Sequence, residues 1–400
     1  MRPCDGRRVL LGVTGGIACY KTGWLARLLS QAGANVDVVM THAATQFVAP
    51  ITFEALTGRP VHTDLIATGR ALDHIHLAQH AEAIVVAPAT ADFLARAACG
   101  RADDLLCACL LATQAPVLLV PAMNDRMWSH AQTQANVARL RELGYAVLEP
   151  DDGPLAAGEG SGPGRMPEPD VIFAHVGRML ERNTLAGRRM VVSAGPTREP
   201  IDPVRFLSNR SSGKMGVAIA AAAWRRGADV TLVAGPLAVS PPVGVTVVSV
   251  ETTQQMADAI AAVIPAASAL IMAAAPVDFR AAHPATQKVK KAAAPPSLEL
   301  TATPDVLAST MSRRPSGMVT VGFALETSDL LANARAKRAA KQLDLIVAND
   351  ALEDGAGFSV DTNRVTLIGR DGRPEVLPLL SKVLVADTIL DRVEALLHAR

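Results

Sequence analysis

The sequence predicts an α/β protein built from two doubly wound, Rossmann-like domains in series. Arg7–Thr14 reads as an apolar, β-branched strand that runs into Gly15-Gly16. A helix over Ile17–Gln31, a Gly33-Ala34 turn and a second strand, Val36–Met40, follow it. The same unit then restarts, with a strand at Arg189–Ser193, a helix at Lys214–Arg226 and a strand at Val230–Val233. GANVDVV and GADVTLV thus hold equivalent places in two βαβ units. The chain has 400 residues, half of them apolar, and at about 150 residues per domain that length suggests two or three domains.

The other elements alternate in the same way. In the first half, strands fall at Ala83–Ala87, Val117–Val120 and Tyr145–Leu148, with helices near Asp92–Cys99, Asp104–Ala112 and Arg126–Glu142. Pro150–Pro169, rich in Gly and Pro, reads as loop. In the second half, strands are expected at Thr246–Val250, Leu270–Ala273, Val319–Phe323, Asp344–Val347 and Arg364–Ile368. Helices are expected near Thr253–Val263, Leu325–Lys341 and Ser381–His398. A polar seam near Glu181–Gly187 divides the chain into domains 1–182 and 183–400. The second strand-to-helix turn holds a long insert, Gly195–Gly213, at the sheet edge where α/β folds place ligands.

Composition narrows the function. With 39 Lys+Arg against 38 Asp+Glu, the net charge of +1 gives no global field for nucleic acid or an anionic membrane. Aromatics at 3% are too few for base-stacking platforms. Leu105–Met123 is uncharged and almost long enough to span a bilayer, but Pro116 and Pro121 split it into a helix and a strand. Five scattered cysteines, with no CxxC and no zinc spacing, point to a reducing cytoplasm. No membrane segment and no nucleic-acid partner is expected.

The glycines do not spell a dinucleotide site. The first turn is Gly12-Val-Thr-Gly15-Gly16, the second is Gly195-Pro196-Thr197, and neither following strand ends in a ribose-binding acid. Ser211-Ser212-Gly213-Lys214 lacks P-loop spacing, yet small residues at a helix start leave N–H groups free for an anion. Two further segments, Ala87-Pro88-Ala89-Thr90-Ala91-Asp92 and Pro121-Ala122-Met123-Asn124, follow apolar strands and bring polar groups to the sheet's carboxyl edge. His74-Ile75-His76-Leu77-Ala78 adds an imidazole. Lys288–Lys291 sits in a Pro/Ala-rich loop, where it can fold over phosphates or be a solvated face.

GGIACYK (Gly15–Lys21), HIxLA, APATAD, PAMNxxMW and GPGRM (Gly162–Met166) resemble the flavin-dependent cysteine decarboxylases. The insert SAGPTREPIDPVRFLSNRSSGKMG (Ser193–Gly216) and AAAPVDFR (Ala273–Arg280) extend the resemblance over essentially the whole chain. The match is to the bacterial bifunctional phosphopantothenoylcysteine decarboxylase/phosphopantothenate–cysteine ligases of coenzyme A biosynthesis, whose N-terminal half is flavodoxin-like. The resemblance implies FMN bound near Gly15, Gly16, Ile17, Thr41, Pro88, Ala89 and Thr90. It makes His74 the catalytic base and Asn124 the group that grips the substrate carboxylate. In the C-terminal half it implies CTP as co-substrate with Mg²⁺, although no acidic cluster identifies metal ligands. Asn209 would act on the acyl-cytidylate, and Ala274, Asp278 and Phe323 would hold the nucleotide alongside Pro304, Asp305, Val306 and Leu307. Lys288, Lys337 and Lys341 would contact phosphates; the last two are four apart, on one helical face.

The implied reactions join 4′-phosphopantothenate to cysteine at the expense of CTP, then decarboxylate the product to 4′-phosphopantetheine. The resemblance also implies a homo-oligomer, with a trimeric decarboxylase half and a dimeric ligase half building an assembly of up to a dodecamer. One departure stands out. The family's flap cysteine is missing, with Ala157 or Gly158 in its place, which leaves Glu159, Ser161 or water as the proton donor. Two alternatives therefore stay open: a ligase with an impaired decarboxylase half, or an N-terminal half that is a flavin-binding regulatory or scaffold module.

Overall fold

The computed structural model describes residues 3–66, 68–290, 297–353, 355, 357 and 360–400. The chain divides into two compact units, 1–182 and 183–400.

In the first unit β1 (Arg8–Val13), α1 (Cys19–Gln31), β2 (Asn35–Met40), α2 (Pro50–Thr57) and β3 (Val61–His62) lead into α3 (Asp73–His80) and β4 (Ala83–Ala89). There follow α4 (Ala91–Ala98), α5 (Leu105–Ala112), β5 (Val117–Pro121), α6 (Asp125–Ser129), α7 (Ala131–Glu142) and β6 (Ala146–Val147). A hairpin of β7 (Asp151–Pro154) and β8 (Ser161–Arg165) precedes α8 (Pro169–Leu180). The six-stranded sheet is parallel, in the order β3-β2-β1-β4-β5-β6. This is the Rossmann order; the flavodoxin order 2-1-3-4-5 is not formed, because the strand after β2 adds at the outer edge.

Successive residues of a strand point to opposite faces, and here both faces are buried. Val9, Leu11, Val13, Val36 and Val38 pack on one side, beneath Leu25 and Leu29 of α1 and Ile172 and Val176 of α8. Leu10, Val39, Ile84 and Val86 pack on the other, beneath Leu106 and Cys109 of α5 and Val137 of α7. Truncating a fully buried leucine such as Leu10 to alanine removes about 2–5 kcal/mol.

The second unit repeats the plan. It runs β9 (Arg189–Ala194), β10 (Arg198–Pro200), β11 (Phe206–Ser208), α9 (Lys214–Arg225), β12 (Asp229–Ala234), β13 (Thr246–Ser249) and α10 (Thr253–Val263). Then come β14 (Ala269–Met272), β15 (Phe279–Ala281), β16 (Leu300–Ala302), α11 (Val306–Ser309), β17 (Val319–Glu326) and α12 (Leu330–Ala340). β18 (Leu345–Asp350), β19 (Thr362–Asn363), β20 (Thr366–Ile368), β21 (Pro374–Val376), β22 (Leu380–Ser381) and α13 (Lys382–His398) complete it. The sheet order β13-β12-β9-β14-β17-β18 reproduces that of the first unit, and β20 and β21 extend it antiparallel.

Several expectations are corrected. Pro150–Pro169 is not all loop, because β7 and β8 pair antiparallel within it. The helix expected over Leu325–Lys341 starts at Leu330: β17 continues to Glu326, where it still pairs with Asp350, and Asp329 takes a left-handed turn (φ 49°) first. The single helix expected over Arg126–Glu142 is two, broken at the extended residue His130. The insert Gly195–Gly213 contains the β10–β11 hairpin. No helix among the described residues is long and apolar enough to cross a membrane; Leu105–Met123 forms α5 and β5, which are buried.

Candidate functional site

Each unit carries a cavity at the carboxyl edge of its sheet, beside the switch point between its first and fourth strands. In the first unit Thr14 closes that point. Its hydroxyl donates to the Pro88 carbonyl (2.8 Å) and accepts the Thr90 N–H (3.1 Å). Thr90 in turn caps α4 by accepting the Phe93 N–H (3.3 Å). The cavity, about 1300 Å³, is bordered by Gly15, Gly16, Ile17, Thr41, Thr90 and Asn124 and roofed by the β7–β8 hairpin. Among the described residues the N–H groups of Gly15, Gly16 and Ile17 donate to no other group, and α1 has no side-chain cap. A helix start of that kind receives phosphate oxygens.

Pro88 and Ala89 stand behind this wall rather than on it, and Ala89 is buried in β4. Asn124 caps α6 by accepting the Arg126 N–H (2.9 Å). Lys21 donates to Glu168 (2.9 Å), whose carboxyl is held below its ordinary value chiefly by that hydrogen bond. The wall also carries Arg96, Arg101, Asp103 and Asp104, which sequence reasoning did not select because they lie between motifs.

His74 is not on this cavity. It borders a separate depression with Leu65, Ile66, Ile75, Ala108 and Leu111, and its Nδ1 is buried with no hydrogen-bond partner. One copy of the chain therefore separates the expected base from the expected carboxylate grip.

The second unit's cavity, about 640 Å³, gathers Asn209, Ala274, Asp278, Pro304, Asp305, Val306, Leu307, Phe323, Lys337 and Lys341. Asn209 Nδ2 donates to the carbonyls of Ala275 (3.2 Å) and Pro276 (2.9 Å), which fixes its amide against the β14 turn. Thr197, fully buried near the start of the insert, bonds Thr253 (2.8 Å) and accepts the Val277 N–H (2.9 Å). Asp305 caps α11 through the Ala308 N–H (2.9 Å) and pairs with Lys341. Burial pushes its carboxyl up, but Lys341, the cap and Lys337 outweigh that and leave it below the ordinary value.

Lys288 is exposed and outside this wall, while Lys291 of the same run lies outside the described residues. Lys214, Asn349, Asn363 and Lys382 join the wall instead. Asn349 was missed because the strand expected over Asp344–Val347 in fact runs Leu345–Asp350 and carries it to the sheet edge. Lys382 was missed because only the fold brings it back; burial lowers its ammonium pKa, and it donates to the carbonyls of Gly357 (2.9 Å) and Val360.

The flavoprotein family model matches residues 2–181, and that of the DNA/pantothenate metabolism flavoprotein C-terminal domain matches 185–397. The coenzyme A biosynthesis bifunctional protein CoaBC of Mycobacterium tuberculosis is 49% identical over 97% of this chain and 96% of its own length. The protein of the same name from Vibrio cholerae is 43% identical, with 98% of each chain covered. The crystal structure of the C-terminal domain of a CoaBC protein is 38% identical, with a TM-score of 0.47, and covers 55% of this chain and all of that one. The chain thus belongs to the bifunctional coenzyme A biosynthesis family, as an enzyme with a decarboxylase half and a ligase half.

Proposed function

We propose that the ligase half uses CTP to join 4′-phosphopantothenate to cysteine, and that the decarboxylase half, loaded with FMN, converts the product to 4′-phosphopantetheine. The observation that carries this reading is the pair of cavities at equivalent sheet edges, each gathering most of the residues expected for its reaction.

In the first cavity the free N–H groups of Gly15, Gly16 and Ile17 suit the flavin's phosphate, with Thr41 and Thr90 beside them. Bound FMN supplies a transient electron sink for loss of CO₂. Asn124 orients the substrate carboxylate without a full charge that would favour its retention, and His74 takes a proton from the substrate.

For His74 to do so, a second copy must bring it. Ile17, Tyr20 and Trp24 form an exposed apolar stripe at helical spacing beside the cavity, and Ile66, Leu72 and Leu111 form another around His74. Two different patches on one chain suit head-to-tail contacts that close into a ring. This supports the trimeric decarboxylase half. In the ligase half, Val204, Phe206, Phe279, Leu298 and Leu300 are exposed, and the Arg198 guanidinium stacks on Phe206 at 4.6 Å. That face, continuous with Asp278, supports a dimer.

In the second cavity Lys337 and Lys341 neutralise the triphosphate as its leaving group forms, and Asn209 positions the acyl-cytidylate. Among the described residues Asp278 and Asp305 are the wall's two carboxylates, and Lys341 occupies Asp305. Mg²⁺ would therefore ride mainly on the phosphates. Lys288 acts from the loop outside the wall. The five free thiols suit a reducing cytoplasm.

The test is CO₂ release from phosphopantothenoylcysteine by the flavin-loaded protein, alongside CMP release with CTP against ATP. The reading requires both activities, loss of CO₂ release in His74→Asn, and preference for CTP. Absence of CO₂ release from the unmodified protein contradicts it.

A further inference from the structure

Loss of CO₂ from phosphopantothenoylcysteine is, overall, a proton-consuming exchange. The C–C bond to the carboxylate breaks, its electron pair ends in a new C–H bond at the same carbon, and the net reaction is redox-neutral. One proton must reach that carbon, so the cavity needs an acid.

The carboxylates on the cavity wall can be sorted by what they already do. Asp92 pairs with Arg96 (3.0 Å), Asp104 with the same guanidinium (2.6 Å), and Asp103 with Arg101 (2.8 Å). Glu159 is the exception: among the described residues it is the one wall carboxylate with no ion pair and no side-chain hydrogen bond.

Its position is built rather than incidental. Glu159 sits at the tip of the β7–β8 hairpin between Gly158 (φ 86°) and Gly160 (φ 82°), a left-handed pair of positions that glycine accepts without strain. The tip is closed by the Leu155 N–H on the Gly160 carbonyl and the Glu159 N–H on the Ala156 carbonyl, both 3.0 Å. The base of the hairpin is bonded to the Asn124 segment through the Met123 N–H and the Gly164 carbonyl (3.0 Å). Ser161, the neighbouring hydroxyl, is not on the wall.

We infer that Glu159 is the acid that protonates the carbon left by CO₂, an inference that rests on the decarboxylase reading of this cavity. The Glu159 O–H bond breaks as the C–H bond forms, and the carboxylate regains its proton from solvent between turnovers.

The test uses the full-length, flavin-loaded protein with phosphopantothenoylcysteine in D₂O, comparing the unmodified chain with E159Q and E159D. CO₂, the saturated product and any unsaturated product are followed by mass spectrometry, and deuterium placement by NMR. The unmodified protein should place one deuterium on a single face of the new methylene. E159Q should form saturated product about 100-fold more slowly, accumulate the unsaturated species and still release CO₂ in the first turnover. E159D should recover part of the rate, with the flavin absorbance of the resting protein and the substrate Kd unchanged in both, while in E159Q the flavin bleaches as the unsaturated species builds up, because the two electrons stay on it. Saturated product from E159Q at the unmodified rate and on the same face overturns the inference, leaving His42, Tyr20 or water as donor. Loss of flavin or substrate affinity in E159Q overturns it in favour of a structural role. No CO₂ from the unmodified protein removes the decarboxylase reading itself, and the inference with it.

Discussion

The carbonyl of Gly164 accepts the Met123 N–H at 3.0 Å, which fastens the hairpin over the first cavity to the residue just before Asn124. A side chain at 164 cannot be accommodated, since its Cβ would stand 2.1 Å from the Met123 carbonyl oxygen. Roof and proposed carboxylate grip are therefore one unit. Gly164→Ala should cost about 1–3 kcal/mol of stability in this half and lower CO₂ release at least tenfold, by about 1.4 kcal/mol of transition-state binding. CMP formation should be unchanged. A melting curve and the two product assays check this.

The separation of His74 from Asn124 within one copy predicts complementation. His74→Asn and Asn124→Ala should each abolish CO₂ release alone. Mixed subunits, reassociated in equal amounts, should regain about a quarter of it, because a ring restores sites where an intact His74 meets an intact Asn124. A dead mixture with an active unmodified enzyme would place both residues in one chain's site.

Lys341 is shared between Asp305 and the cavity. Lys337→Met and Lys341→Met should each raise the KM for CTP about tenfold, equivalent to about 1.4 kcal/mol, and leave the KM for cysteine unchanged. Steady-state kinetics with one substrate varied at a time separates this from a general loss of fold.

Asp202 is buried and receives the backbone N–H groups of Val204 (2.9 Å), Arg205 (2.8 Å) and Val289 (3.2 Å), together with the Arg205 guanidinium. It thereby ties the insert to the residue after Lys288. The Arg205 hydrogen bond, against the opposing push of burial and with help from those N–H groups, holds its carboxyl well below the usual carboxylate range. A depressed carboxyl stabilises the fold above its unfolded value and loses that contribution as pH falls through the folded one. The melting-temperature difference between Asp202→Asn and the unmodified protein should therefore be full at neutral pH and narrow only below about pH 4. Asp202→Asn and Lys288→Ala should be non-additive in KM for CTP, because both act through the same loop.

Much of the fold was legible because buried parallel strands announce themselves. The runs at Arg7–Thr14 and Arg189–Ser193 each lead to a helix and a GA-initiated strand, and the two sheets share one strand order. The β7–β8 hairpin was not legible. Its Gly and Pro spell loop, and what makes it a hairpin is the close approach of Gly162 to Asp125 and of Gly164 to Met123, which are tertiary contacts. Asn209, Asp278, Phe323, Lys337 and Lys341, which the family resemblance singles out, line the second cavity together. Lys382, arriving from the start of the last helix, carried no local signal. The placement of His74 was hidden for a related reason: a histidine motif shows that an imidazole is present but not which surface of the fold it faces.

The most direct test of the whole account is a stoichiometry. The flavin-loaded protein, given 4′-phosphopantothenate, cysteine and CTP, should release CMP and CO₂ in equal amounts and accumulate 4′-phosphopantetheine. CMP release with phosphopantothenoylcysteine accumulating and no CO₂ would contradict it.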